Sequence, residues 1–415
     1  MEKLIAMLLA LAMVFSLAAC GTGNGSASAE KATSAPAASA GGSSAAVSEP
    51  KEDASQAEEP QDETPQVEHF VIGFPEAPVD VPAVKAIKLN TQKVAEAAGG
   101  EMKNEVFDFT PEGTVDAVEK MINNGVQGVK ITPSSDSIIP TILNMCEEAG
   151  VYFILSMRTI GDDSVRALCE ESEYFLGCVY EDEYNCGYEL GKALAEALAD
   201  SDNKTYALIG TTVGDTTGDE RERGLAAAAE EFGLTQVAEV RALEQASDAS
   251  QAVESFLASY PDLGGIIRVA STASGDVSAI CTTLKESGKA GQVKFITQGV
   301  DDESASAYLD DGTISATMGN NMSLDSFIAT AILVNAVTGN RISDKPVDIC
   351  IPYPVVSTAE ELTNDTKCSC SEDGIYPAEY IQQHFLKAYN SALTLDDIQK
   401  EIDSYDVNTI LALWN

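Results

Sequence analysis

Arg221 stands where a chain of this pattern could bind a small molecule. It follows an apolar run at residues 206–209 and a loop of Gly, Thr and Asp, and it opens an alanine-rich segment. This order predicts a buried parallel strand, a loop and then a helix whose first N–H groups have no partner inside the helix. Ligands of open α/β sheets bind at this edge, so Arg221 is a candidate ligand contact. The alternative is a surface arginine paired with Asp219 or Glu220.

Groups that could catalyse a reaction do not form a recognisable set. The two histidines, His69 and His384, lie at the edge of a linker and in the carboxyl-terminal tail. The sequence has no Walker lysine loop, no HExxH motif and no Gly-x-Ser-x-Gly motif. Cys368 and Cys370 could suggest a metal or redox pair, but two ligands without a nearby His or second Cys pair fall short of a zinc site. We therefore predict a binding protein with no catalytic residue, cofactor or metal.

The composition excludes one large class of partner. The chain has 415 residues and a formal net charge of −41, whereas the phosphates of nucleic acids require Lys and Arg. We therefore expect no nucleic-acid partner. The length leaves room for two domains with hydrophobic cores, even after a processed amino end and a linker are subtracted.

The amino end predicts export from the cytoplasm. Residues 4–17 are apolar but too few to span a bilayer comfortably. The residues that follow, Leu17-Ala18-Ala19-Cys20-Gly21, resemble the lipobox of bacterial lipoproteins. This resemblance implies that residues 1–20 carry a lipoprotein signal peptide and that lipid on Cys20 anchors the protein to the membrane. An ordinary secretion signal is the alternative, and both interpretations place the protein outside the cytoplasm.

Residues 21–67 are predicted to be a disordered tether. They are rich in Ala, Ser, Gly, Pro and Glu and hold almost no large apolar side chain. Such a segment cannot bury enough surface to offset the entropy lost on ordering. Its second half is acidic, so self-repulsion extends it.

The remainder alternates between short apolar runs and segments of helical spacing. Strands are predicted at residues 70–74, 105–109, 128–131, 151–155, 206–209, 237–243, 265–269 and 293–297. Helices are predicted at residues 84–98, 114–123, 138–148, 182–199, 221–232, 249–260 and 275–287. This alternation predicts two α/β lobes, each a parallel sheet with helices on both faces. A cleft between two such lobes is a common place for a small-molecule site.

Three segments carry a family resemblance. Residues 115–136 contain a helix end at Asn124-Gly125 and the run Ile131-Thr132-Pro133-Ser134-Ser135-Asp136, residues 220–224 read Glu-Arg-Glu-Arg-Gly, and Asp301 is followed by residues 308–317. Together they resemble type I periplasmic binding proteins of the ribose- and sugar-binding group, over about residues 70–357. The resemblance implies two Rossmann-like lobes with parallel sheets joined by a multi-strand hinge. The expected lobes are residues 68–181 with about 321–351, and residues 182–320 with about 352–358.

The same resemblance suggests a ligand-binding set. Arg158 matches a family arginine, although Met157 stands where the family has an Asp, and Arg221 matches a second arginine. The other expected contacts are Asp301, Asn320, Ser274, Phe74 and Glu76. Arginine offers a planar fork of donors to hydroxyls or a carboxylate, while Asp and Asn supply acceptors. The alternatives are a loop salt bridge for Arg158, turn capping for Asp301 and Asn320, and a role as cleft wall for Phe74 and Glu76.

These features predict an extracytoplasmic solute-binding lipoprotein that takes up a sugar or sugar-like molecule. In the family it resembles, the partner is usually an ABC permease, and we expect a monomer. A ligand-sensing component that signals to a histidine kinase or chemoreceptor is the alternative function. Ligand contact with both lobes would favour a closed form.

The tail and the cysteines give two further expectations. Residues 359–415 extend beyond the usual family length and are predicted to be partly helical and packed on one lobe. Eight cysteines remain after Cys20. Cys169 and Cys178 could form a short bridge, whereas reduced core thiols, including Cys146, Cys281 and Cys350, are favoured.

Overall fold

The computed structural model describes residues 67–76, 82–108, 110–212, 215–269, 275–299, 305–319 and 321–414. This part of the chain contains two six-stranded sheets, each with helices on its faces. The predicted fold of two α/β lobes with largely parallel sheets is confirmed. In the same described residues, no helix combines the length and the apolarity needed to cross a membrane.

The first lobe is built on an all-parallel sheet with the strand order β11-β5-β4-β3-β1-β2. Its strands are β1 (Val71–Glu76), β2 (Glu101–Val106), β3 (Gly128–Ile131), β4 (Tyr152–Ser156), β5 (Phe175–Glu181) and β11 (Val347–Ile351). Its helices are α1 (Pro82–Ala97), α2 (Pro111–Asn123), α3 (Ile139–Ala149), α4 (Asp163–Glu170) and α10 (Met322–Val337), with a short 3-10 turn at Asp136–Ile138.

The second lobe has the strand order β12-β10-β9-β8-β6-β7, in which only the edge strand β12 is antiparallel. Its strands are β6 (Thr205–Gly210), β7 (Thr235–Arg241), β8 (Gly265–Arg268), β9 (Lys294–Gln298), β10 (Ile314–Met318) and β12 (Val355–Val356). Its helices are α5 (Glu183–Ala197), α6 (Thr216–Phe232), α7 (Ala246–Ser259), α8 (Asp276–Glu286) and α9 (Ala305–Asp310).

The tail forms four more helices, and most of it completes the core of the first lobe. These are α11 (Ala359–Ser369), α12 (Ala378–Phe385), α13 (Leu395–Asp403) and α14 (Val407–Ala412). The ring of Phe327 in α10 lies 4.9 Å from that of Tyr376 and 4.8 Å from that of Phe385. The amide of Asn335, also in α10, donates to the carbonyl of Phe385 (2.7 Å) and accepts from the N–H of Lys387 (2.8 Å).

This packing explains the unusual sequence of α10. Residues 323–336 are all buried, and the helix has no polar face. A helix that is apolar all round must be covered on every side. Here α1, the sheet and the tail helices provide that cover, since their apolar side chains belong to one core cluster with those of α10.

Three short segments cross from one lobe to the other, each directly after a strand. They follow β5, β10 and β11, and hydrogen bonds hold them against one another. The N–H of Asp182 donates to the carbonyl of Ile351 (3.0 Å), and the N–H of Gly319 donates to that of Pro354 (2.7 Å). The crossing segments therefore form a compact hinge rather than separate linkers.

Some local predictions are wrong. The second strand, predicted at residues 105–109, lies at Glu101–Val106. It is an edge strand of mostly exposed polar residues, so it carries no apolar run that could mark it. The elements that were not predicted are helices α4, α9, α10, α11 and α14 and strands β5, β10, β11 and β12. For the cysteines, the structure agrees with the favoured interpretation of reduced thiols, and the alternative bridge is not formed, because Cys169 and Cys178 are separate buried thiols.

Candidate functional site

Polar side chains collect at the carboxyl ends of the first lobe's strands. Lys130 in β3, Ser156 in β4 and Glu181 in β5 are all buried there, with Lys130 and Ser156 at 0% exposure. The two helices α1 and α10 cover this face of the sheet. Strand alternation puts every second residue on one face, so each of these polar groups takes a position that a core residue would otherwise hold. Burying these polar groups is costly unless they form hydrogen bonds within the protein or with a ligand.

Among the described residues, Lys130 has no carboxylate in direct contact. Its Nζ donates to Thr91 Oγ1 (2.6 Å) and to Ser326 Oγ. The ammonium also lies 4.4 Å from the centre of the Phe74 ring, within the range of a cation–π contact. Burial lowers the pKa of Lys130, and the charge of Asp325 opposes this shift.

Asp325 fixes the turn that follows β4. Its Oδ1 accepts from Ser156 Oγ (2.6 Å) and from the N–H of Met157 (3.0 Å), and its Oδ2 lies 3.1 Å from the same N–H. Met157 has a φ of 59°, a left-handed conformation that is uncommon for a residue with a side chain. The hydrogen bonds from Asp325 therefore stabilise a backbone shape that Met157 would not adopt by itself. Burial raises the pKa of Asp325.

Arg158 is the next residue of this turn and carries unused donors. It is half-buried, and its Nη1 donates to the carbonyl of Met157 (2.7 Å). In the part of the chain that the structure describes, its guanidinium makes no ion pair and no second hydrogen bond. A guanidinium has five N–H donors. Arg158 thus presents several donors from a turn whose backbone Asp325 holds in place.

Glu181 ends β5 at the hinge. It is 4% exposed, and among the described residues its Oε1 has no hydrogen-bond partner. Burial and the nearby carboxylates of Asp325 and Glu183 raise the pKa of Glu181 well above its usual range, against the charges of Arg221 and Arg158. A neutral carboxyl group can both donate and accept a hydrogen bond.

Unpartnered polar atoms mark the same edge in both lobes. Thr211 Oγ1 follows β6, and Asn321 Oδ1 follows β10; both are buried without a partner among the described residues, as Glu181 Oε1 is. Such atoms are rare in folded proteins, and each requires an explanation. Their position at strand ends is where open α/β sheets bind ligands.

Arg221 is more enclosed than its sequence position predicts. Helix α6 begins at Thr216, so Arg221 lies in the second turn and not at the loop-to-helix junction. It is 6% exposed, and its Nε donates to Glu183 Oε2 (2.6 Å). Its other donors reach the Val269 carbonyl (3.0 Å), Gln298 Oε1 (3.1 Å) and Tyr353 Oη (3.1 Å). The carboxylate partner is thus Glu183, while Glu220 pairs with Arg223.

The other predicted contacts are placed unevenly. Phe74 is buried beneath Lys130, and Glu76 Oε2 accepts from Lys88 Nζ (2.8 Å) and Asn104 Nδ2 (2.6 Å). The remaining candidates lie outside the described residues: Ser274, Asp301, Asn320 and the lipidation candidate Cys20.

Sequence reasoning missed Lys130, Asp325 and Glu181. Each could have been noticed as a charged residue in an apolar segment. Lys130 interrupts the strand 128–131, Asp325 interrupts helix α10, and Glu181 ends strand β5.

One groove lies away from this edge. A groove of about 630 Å³ lies at the amino ends of β1 and β3, at the opposite edge of the first sheet. Across the described ranges, no three His, Cys, Asp or Glu side chains are arranged to hold a metal ion.

Comparisons with known proteins agree with this architecture. A family model described as a periplasmic binding protein domain matches residues 84–341, more than half of the chain. Among solved structures, a periplasmic solute-binding protein of an ABC transporter from Actinobacillus succinogenes, with bound D-allose, is similar with a TM-score of 0.59 and 21% identity. That match covers 71% of this chain and 99% of the other.

Two further structures have the same fold. A periplasmic ribose ABC transporter protein from Conexibacter woesei has a TM-score of 0.59 and 19% identity, covering 74% of this chain and 97% of the other. A solute-binding protein from Bacillus halodurans with bound myo-inositol has a TM-score of 0.57 and 19% identity, covering 71% and 96%. A search of curated protein sequences found no match. With the family model spanning most of both lobes, the chain belongs to the periplasmic binding protein family.

Proposed function

We propose that this protein captures a small polar, sugar-like ligand between its lobes. The observation that carries the proposal is Arg158, a half-buried cation with unused donors on a turn that Asp325 holds rigid. A preorganised donor set loses little entropy when a ligand binds. Guanidinium donors suit hydroxyl and carboxylate oxygens alike.

The second lobe would supply the opposite wall. Described residues accept hydrogen bonds from four of the five N–H donors of Arg221, and we propose that the fifth donates to the ligand. We propose that Arg221 also orients Gln298, and that Asp301, Asn320 and Ser274 provide acceptors and hydroxyls. Phe74 and Glu76 are proposed as wall residues of the first lobe.

Binding would be coupled to closure. A ligand that contacts both lobes stabilises the closed form by its differential contacts, so the hinge equilibrium shifts. We further propose that the protein delivers its ligand to an ABC permease and that lipid on Cys20 keeps it at the membrane surface. The lipobox-like residues 17–21 and the sugar-transport context of the similar structures support this role.

A thermal-shift screen followed by calorimetry tests the proposal. Sugars, sugar acids, polyols and nucleosides, including D-allose, D-ribose and myo-inositol, are added to the exported chain. A compound bound only by the folded state must raise the midpoint of unfolding. We expect Arg158→Ala to weaken binding of any compound that does so by on the order of tenfold to a hundredfold, as loss of a charge-assisted hydrogen bond predicts.

The matched control is Arg223→Ala. Arg223 is exposed and pairs with Glu220 on the same helix as Arg221, so its loss should leave affinity unchanged. Equal affinity of Arg158→Ala and the wild type would remove Arg158 from the site. If no compound in the screen raises the midpoint of unfolding, the proposal of a sugar-like ligand is refuted.

A further inference from the structure

Helix α11 belongs to the cores of both lobes. Leu362, near its amino end, is buried in a core cluster of the second lobe, while Cys368, near its carboxyl end, is buried in the main cluster of the first lobe. The helix contacts α9 of the second lobe and both α10 and α14 of the first. The chain therefore passes between the lobes a fourth time, inside a helix.

The amino end of α11 is fixed to the second lobe. Thr358 caps the helix, and Glu361 completes a reciprocal capping box with it. Glu361 Oε2 also accepts from the N–H of Ser357 (2.8 Å), the residue after β12. Leu362 then packs in the cluster that includes Ala305, Leu309 and Val356. Local hydrogen bonds and apolar burial thus anchor this end.

The carboxyl end is fixed to the first lobe. Ser323 Oγ, in the first turn of α10, donates to the carbonyl of Ser369. Cys368 Sγ lies 3.2 Å from Tyr405 Oη, and Asn364 Nδ2 donates to Asn408 Oδ1 (3.0 Å). These partners lie in or beside α10, α13 and α14, the elements that build the first lobe's covered face.

The middle of α11 lies against the hinge. Asp365 is 5% exposed and approaches Gly319 in the crossing segment after β10. A Cβ at Gly319 would lie 2.9 Å from Asp365 Oδ1 and 2.7 Å from Pro354 Cγ. The absence of a side chain at Gly319 therefore permits close packing of the helix on the crossing segments.

We propose that α11 restrains the rotation of the lobes about the hinge and so sets the fraction of open molecules. A helix resists bending, and 11 residues span roughly 16 Å at about 1.5 Å per residue. Rotation of one lobe against the other must release one end of this helix from its core. The restraint acts on the protein without ligand and is independent of the ligand's identity.

The test is a distance distribution between the lobes in ligand-free protein. Dyes are placed at Glu147 in α3 and Glu254 in α7, which are both exposed. They are attached through a genetically encoded azide residue, which avoids the native thiols. Leu362→Ala releases the second-lobe end, and Cys368→Ala releases the first-lobe end. We expect either substitution to widen the distribution and to raise the population outside the main wild-type distance peak by roughly threefold to tenfold.

The matched control is Leu393→Ala. Leu393 is a tail residue that is 3% exposed in the core of the first lobe alone. It should lower the melting temperature like Leu362→Ala but leave the distance distribution unchanged. An unchanged distribution in folded Leu362→Ala, or equal widening in the control, overturns the proposal.

A double variant separates a restraint from two independent core defects. A connection is lost when either end is lost, so Leu362→Ala with Cys368→Ala should widen the distribution no further than one substitution does. Additive widening contradicts the proposal. If Leu362→Ala fails to fold, Ser323→Ala removes only the hydroxyl that binds Ser369 and must show the same direction of change.

Discussion

The two lobes treat their buried cations differently. In the second lobe, Arg221 pairs with Glu183, and Arg268 contacts both oxygens of Asp276 (2.6 and 3.1 Å). In the first lobe, the partners that the described residues give Lys130 are two hydroxyls and a ring, and the partner they give Arg158 is a backbone carbonyl. Paired buried charges fix a structure, whereas unpaired ones respond to protons or ligands. We therefore expect the charged groups of the second lobe to hold their positions, and those of the first lobe to respond to a proton or a ligand.

The lobes also differ in what covers them. The tail helices complete the core of the first lobe. Phe385→Ala should cost about 3–5 kcal/mol of stability, because it removes a fully buried ring from an aromatic cluster. Hydrogen exchange should then accelerate in α10 and not in β8 or β9. Phe295→Ala in the second lobe is the matched control and should give the reverse pattern. Acceleration in both lobes would contradict the assignment of Phe385 to the core of the first lobe alone.

Removal of a buried cation should cost more in the second lobe. Arg268→Met leaves Asp276, which is 2% exposed, without its cation, and we expect a loss of about 3 kcal/mol. Lys130→Met should cost roughly half as much, because the raised pKa of Asp325 lets that carboxyl take up a proton instead. Chemical denaturation at pH 7 measures both values. Equal losses would abolish the distinction between the lobes.

The buried carboxyl group of the first lobe should make the free energy of unfolding depend on pH. Burial raises the pKa of Asp325 from 3.8 to about 7. Its contribution to stability is therefore fully present below about pH 4 and is lost as the pH rises through 7. Asp325→Asn keeps Oδ1 as acceptor for Ser156 and Met157. Relative to the wild type, this variant should gain about 3–4 kcal/mol between pH 4 and pH 8, because one pKa unit corresponds to about 1.4 kcal/mol.

The control is Asp276→Asn in the second lobe. It removes the carboxylate that Arg268 contacts through two nitrogens, so it should destabilise the protein across the same pH range. Denaturation series at several pH values give the comparison. A flat difference between Asp325→Asn and the wild type would show that this carboxyl stays charged throughout.

The sequence was a good guide where local pattern decides structure. Apolar runs predicted strands β1, β3, β4 and β6 to β9, because buried parallel strands must be apolar. Strands β5, β10, β11 and β12 were not predicted. The polar edge strand β2 escaped this rule, and so did α11, which is short and mostly polar. The boundary of α6 was placed five residues late because a Gly/Thr-rich sequence looks like a loop, although Asp215 caps a helix there.

The site was predictable only in part. The family resemblance suggested Arg158, and the apolar run and loop before Arg221 suggested that residue. The side chains that contact Arg221, and the one that holds the turn of Arg158, come from distant parts of the chain. Lys130 and Ser326 are separated by 196 residues, and Arg221 and Tyr353 by 132. A local sequence pattern cannot predict contacts between such distant residues. For this reason the sequence did not show that Arg221 is enclosed while Arg158 keeps donors for a ligand.

The pairing of Asn335 with the backbone around Phe385 gives a way to classify related chains. A chain that ends before this segment would remove these two partners of Asn335 and would expose to water the apolar side chains of α10 that the tail covers. The helix would then need polar residues on that side. The residues of this helix should therefore show whether a relative has the same helical tail. This holds even when the carboxyl terminus of the relative's sequence is missing.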